Sequence, residues 1–200
     1  LLVLGSLALF LRARVGLWVA AGILLSFLGA LVLMPLTGTS LNMISSLGFI
    51  VALGLVTDDA IVVGERIARR QDAGEGRLVA AVRGAQEVSV PVVVAALTTM
   101  VALSPCFILP GVIGAQSRPL PIVVIACLLF SLLESLFILP AHLGHAEREI
   151  VNHRWIAAWG RKQARFSAGF ERFVEEVYRP CLRWCLDHCR LALAAGAAIF

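Results

Sequence analysis

Blocks of mostly apolar residues alternate with short polar links along this chain. They cover approximately residues 1–11, 15–36, 41–67, 88–109 and 120–140, and a further block starts at 191. Val15 to Leu36 contains no charged residue. At a helical rise of about 1.5 Å per residue it is long enough to cross a hydrocarbon core of about 30 Å. Pro35 and Gly38 close this block, and Thr37 to Ser40 form a polar link. The next block holds Asn42, Ser45 and Ser46, which can hydrogen-bond between helices, and a Gly48–Ala52 pair at the small-xxx-small spacing that admits a neighbouring backbone. Gly54 continues its small-residue positions. Glu65 to Arg83 is polar, broken by Gly74 and Gly76, and is expected outside the membrane. The fourth block is expected to start near Pro91 and to be interrupted near Pro105. Pro110 to Pro121 reads as a Gly/Pro-rich link. The fifth ends at Pro140.

The pattern predicts an all-α membrane protein, a polytopic transmembrane helix bundle over residues 1–143. Residues 144–190 are charged and aromatic. Trp155, Trp159, Phe166, Phe170 and Phe173 fall near helical spacings among Arg and Lys, as in a helix lying on a membrane surface. An amphipathic helix packed on protein has the same pattern. Residues 191–200 start another span. Because the chain opens at Leu1 and closes at Phe200 inside apolar runs, it is expected to be a piece of a longer protein.

Composition agrees. The 200 residues are 60% hydrophobic and 15% charged, where soluble domains hold about 45–50% and about 25%. Mean hydropathy is +0.90. Alternating the links across the bilayer puts every Lys and Arg except Arg118 on one side, an asymmetry that marks that side as cytoplasmic. The positive net charge then belongs to the inner membrane surface and its lipids, with no nucleic-acid partner implied.

The chemistry is concentrated at Asp58 and Asp59, in Gly54-Leu55-Val56-Thr57-Asp58-Asp59-Ala60-Ile61-Val62-Val63. An ionised carboxylate in hydrocarbon costs several kcal/mol, so two side by side call for a partner, a proton, or both. On a helical wheel the pair brackets Gly48, Val51, Leu55 and Val62, a face expected to look into the bundle. Close carboxylates titrate as a coupled pair, which suits a proton carrier. No Lys or Arg lies in the interior of any span, so the counter-charge is expected elsewhere.

Glu134 is a further intramembrane acid, expected near the cytoplasmic boundary. Thr57, Thr98 and Thr99 are possible supporting residues, although a Thr in a helix commonly bonds back to its own backbone. Cys181, Cys185 and Cys189 would line one helical stripe, but His188 points about 100° away from Cys189, so no metal site is predicted. No cofactor is implied.

Gly54 to Ile67 resembles the fourth transmembrane helix of resistance–nodulation–division (RND) exporters, whose pattern is Gly-Leu-x-Val-Asp-Asp-Ala-Ile-Val-x-x-Glu-Asn. Ala95-Ala96-Leu97-Thr98-Thr99-Met100, the Leu109-Pro110-Gly111 link and Ser135-Leu136-Phe137-Ile138-Leu139-Pro140-Ala141-His142 follow in the family's order. The resemblance implies helices two to six, and the start of seven, of a twelve-helix multidrug efflux permease of the hydrophobe/amphiphile branch. It further implies a homotrimer in the bacterial inner membrane, working with a periplasmic adaptor and an outer-membrane channel. Asp58 and Asp59 would then be the proton relay of an antiporter, partnered by a Lys on a helix of the second half. Thr57 and Arg66 depart from the family's Val and Asn; Arg66 is expected to pair with Glu65 or with lipid headgroups. An RND-like lipid or protein-export component remains an alternative. So, more distantly, does an intramembrane aspartyl protease, which needs its acids on separate helices.

Overall fold

A computed structural model describes residues 13–145 and, of 169–197, all but 171, 190, 192, 195 and 196. The expected first span, together with Trp155, Trp159 and Phe166, lies outside the described residues. Those described are helical or in turns, with no strand among them.

Helix α1 runs from Ala13 to Leu33, and a 3-10 turn, Pro35–Thr37, closes it. Gly38 follows with φ 65°, the left-handed conformation that stops a helix at little cost for glycine. Helix α2 is Met43–Asp72. It begins with a reciprocal cap: Asn42 Oδ1 accepts from the N–H of Ile44 and of Ser45, each at 2.9 Å, while Ser45 Oγ accepts the Asn42 N–H at 2.8 Å. Helix α3 is Arg77–Leu103, followed by a 3-10 turn over Ser104–Phe107. Helix α4 is the short Gly111–Ser117, and α5 is Pro119–Leu133. A π turn over Glu134–Ile138 joins α5 to α6, Leu139–His145, without a break in the rod. Four of these helical rods are long and apolar enough to cross a membrane: 15–37, 43–72, 77–107 and 111–145.

The polar stretch after Glu65 is largely helical and breaks at its glycines, since α2 continues to Asp72 and α3 starts at Arg77, leaving a four-residue turn. Intrahelical and interhelical ion pairs sustain those extensions. Two sequence expectations give way. Pro91 lies inside α3 rather than at its start. Much of the Pro110–Pro121 link is also helical, with Pro119 in the first turn of α5, where its missing N–H costs nothing.

Small residues set how closely the helices pack. A Cβ built on Gly84 of α3 would stand 2.9 Å from the Ile67 Cα of α2, and one on Gly48 of α2 would stand 3.1 Å from the Leu120 carbonyl oxygen of α5. Around these contacts the core gathers Val19, Ala52, Val56, Val63, Ile67, Val123, Val124 and Leu128. Phe27 and Phe49 meet across α1 and α2 with ring centroids 5.5 Å apart. At the other end of α1, Trp18 packs on His142 at 4.0 Å.

The chain divides into two compact units, residues 1–150 and 151–200. In the second, a π turn over Val174–Tyr178 leads into helix α7, Arg179–Asp187.

Candidate functional site

Helix α2 has two unlike sides, and its aspartates fall one on each. Ser45, Gly48, Ala52, Val56, Ala60, Val63 and Ile67 recur every three or four residues and are buried against the other helices. Asp59 flanks that stripe. It is half-buried, and its Oδ2 is enclosed with no hydrogen-bond partner. Asp58 is exposed, in an outward stripe with Leu47, Val51, Gly54, Val62 and Glu65. The face expected to look into the bundle therefore opens away from the described helices at Val51, Asp58 and Val62. Helices α1, α3 and α5 take up the opposite, small-residue stripe. No Lys, Arg or His among the described residues pairs with either aspartate.

The flanking polar residues bond locally. Thr57 Oγ1 donates to the Leu53 carbonyl at 2.5 Å, Thr98 Oγ1 to Val94 at 2.7 Å and Thr99 Oγ1 to Ala95 at 3.1 Å. Thr57 is buried, while on α3 Thr98 is exposed and Thr99 half-buried. Gly48 and Ala52 sit within the packing, whereas a Cβ on Gly54 would meet nothing within 4 Å.

Glu134 is enclosed rather than open to the boundary water expected from its sequence position. It is 3% exposed and packs across α1: a Cβ on Gly22 would overlap its carboxyl group. The depth of Glu134 follows from helix register. Gly48 meets Val123 and Gly64 meets Leu139, so α2 and α5 run side by side in the same direction. Asp59 lies eleven residues past Gly48, and Glu134 eleven past Val123. With one rise per residue on both helices, the two carboxylates stand at one level. Counting from nearby charges in the sequence did not reveal this, because it treats each span alone. The apposed Gly48/Val123 and Gly64/Leu139 pairs are the signal that aligns them.

Beyond the apolar blocks, charges tie the tips of α2 and α3 together. Arg66 and Arg70 both pair with Glu87, and Arg70 also pairs with Glu75. Arg66 thus reaches across to α3 instead of pairing with Glu65. The Glu65 Oε1 is bonded by Arg69 Nη2 one turn away at 2.6 Å. Among the described residues no three His, Cys, Asp or Glu side chains converge as metal ligands. Cys181 and Cys189 are exposed, and Cys185 is half-buried.

Comparison with known proteins agrees with this architecture. The model of the AcrB/AcrD/AcrF family matches residues 1–200, the whole chain. The chain is 38% identical over 105 residues to the multidrug resistance protein MdtC of Erwinia tasmaniensis, covering 52% of this chain and 10% of that protein. To MdtC of Salmonella paratyphi C it is 39% identical over 111 residues, 55% of this chain and 11% of that one. An uncharacterized transporter of Haemophilus influenzae is 39% identical over 88 residues, 44% of this chain and 8% of its own. The matched stretches thus amount to about a tenth of these relatives' length.

Proposed function

The chain belongs to the AcrB/AcrD/AcrF family of RND permeases, and on that premise we propose that it is membrane machinery of a proton-driven efflux transporter in the bacterial inner membrane. Asp58 and Asp59 carry the proton, and the exported compounds are hydrophobic or amphiphilic. The carrying observation is the placement of the pair: one carboxylate on an open helix face, its neighbour at the edge of the core with an enclosed, unpartnered oxygen. A static polar cluster would pair its members. An acid that loses and regains a proton needs one side accessible and a low-dielectric setting, so that its charge has consequences for packing.

The outward stripe of Leu47, Val51, Gly54, Asp58 and Val62 is where a helix bearing the counter-charge would lie. Gly54, one turn from Asp58, leaves room for its approach. A cation meeting the ionised pair and withdrawing from the protonated one ties helix movement to proton passage. A homotrimer working with a periplasmic adaptor and an outer-membrane channel is the assembly this reading implies, with the Arg-rich tips of α2 and α3 in the cytoplasm. Adjacency on one helix disfavours the protease alternative, which must hold a water between acids on facing helices.

The test replaces Asp58 by Asn and, separately, Asp59 by Asn in the intact permease. Each substitution is expected to abolish export in a dye-efflux assay at unchanged protein level and oligomeric state. Retained efflux in either variant overturns the reading.

A further inference from the structure

A second acidic position, apart from the Asp pair, lies in the seam between α1 and the α5–α6 rod. Glu134 opens the π turn and fills the notch at Gly22. Ser26, one turn along α1 from Gly22, and Ser131, one turn before Glu134, are both fully buried, and neither hydroxyl has a hydrogen-bond partner. No cation among the described residues pairs with Glu134 and no donor bonds to it.

An ionised carboxylate held in this way costs several kcal/mol, whereas the neutral acid escapes most of that and gains an O–H donor. Buried hydroxyls without partners are themselves uncommon. Ser26 and Ser131 hold unused donor and acceptor capacity one turn from Gly22 and from Glu134 respectively. The π turn is a costly irregularity, frequent at functional sites, and it sets Glu134 at the start of a widened turn. Gly22 provides the space, since any larger residue would displace the carboxyl.

We propose that Glu134, with Ser26 and Ser131, forms a second proton-binding site within the membrane, separate from Asp58–Asp59 but at the same level. Proton exchange breaks the Glu134 O–H bond and passes its proton to a water molecule entering the seam, leaving a carboxylate and a hydronium ion; loading is the reverse. The elements packed around the π turn carry few other titratable groups. Helix α1 has none between Val15 and Leu33, and α5 has Cys127. Helix α6 has His142, whose Nδ1 donates to the Ile138 carbonyl at 2.8 Å, and His145, whose Nδ1 donates to that of Ala141 at 3.0 Å. Helix α2 brings Asp58 and Asp59 at this level and Glu65 and Arg66 toward its tip.

The test uses the intact permease in lipid nanodiscs and dicyclohexylcarbodiimide, which modifies protonated carboxyls in apolar surroundings, with modified peptides mapped by mass spectrometry. Labelling of Glu134 is expected to fall from full to absent as the pH rises from mildly acidic to alkaline. It should not respond to added sodium chloride, and should persist when Asp58 and Asp59 are both Asn. Substituting Ala at both Ser26 and Ser131 is expected to move the midpoint of that pH dependence. An infrared carbonyl band that titrates in parallel and vanishes in Glu134→Gln is the matching signature. Glu134 left unlabelled at every pH, or labelled equally at all of them, overturns the proposal. So does protection by sodium at constant pH, which would make the site one for a metal cation. None of these readouts depends on export, so the proposal fails or stands apart from the role of the Asp pair.

Discussion

Replacing Gly84 by Ala adds one methyl group where α3 touches the backbone of α2. The new Cβ would lie 2.9 Å from the Ile67 Cα, 3.0 Å from its Cγ1 and 3.1 Å from its N, against ordinary contact beginning at 3.4 Å. Two of these three atoms are main chain, so no rotamer change relieves the clash. The helices must part by about 0.5 Å, and gaps of that size forfeit about a quarter of the attraction between the atoms they separate. Ala80, Ala81, Ala85, Val63 and Ile67, all buried, line or neighbour this contact. Overpacking of this kind costs about 1–3 kcal/mol, while exchanging Gly for Ala within a helix returns about 0.5–1 kcal/mol. The net expectation is a loss of about 1 kcal/mol. Reversible unfolding of the intact permease in mixed micelles titrated with sodium dodecyl sulfate measures it. Gly76→Ala in the adjoining turn, where an added Cβ meets nothing within 4 Å, serves as reference. If Gly84→Ala matches or exceeds the wild type in stability, the close approach of α2 and α3 is wrong.

Two further expectations concern topology and the π turn. Single cysteines at Ala73 and at Ala115, both exposed, should react on opposite sides of the membrane. In intact spheroplasts an impermeant maleimide should label position 115 but reach 73 only after permeabilisation; the converse pattern refutes the assigned orientation. Pro140→Ala restores an N–H to the rod, so the π turn is expected to relax to α-helix and rotate Glu134 by about 100° relative to α6, off its fit with Gly22. A cryo-EM structure of that variant retaining the π turn would show that Pro140 is not its cause.

Apolar spacing and capping residues locate the main helices well, because a span must be long and must satisfy its own backbone. Asn42 and Ser45, expected to hydrogen-bond between helices, instead cap the start of α2 locally, because the first N–H groups of a helix have no partner within it. Proline was a weaker guide. Pro91 and Pro119 suggest boundaries, yet one sits within a helix, which forgoes a backbone hydrogen bond there, and the other opens one, where no carbonyl awaits the missing N–H. Pro140 and Pro180 each follow a π turn by two residues, a pairing that sequence reading did not anticipate. The Asp pair stands out in the sequence because charge is conspicuous in hydrocarbon. Its division between an enclosed and an open side depends on which stripe the neighbouring helices choose. The common level of Asp59 and Glu134 depends on register between helices far apart in the chain, which no single-span periodicity encodes.

That shared direction of α2 and α5–α6 has an electrostatic consequence. These two end on the same membrane face, where α1 and α3 begin, so their partial negative charges are offset there by the N-termini of those antiparallel neighbours as well as by side chains. Arg69 and Arg70 occupy the last turn of α2, and His142 and His145 that of α6. They also complement the C-terminal ends of that parallel pair.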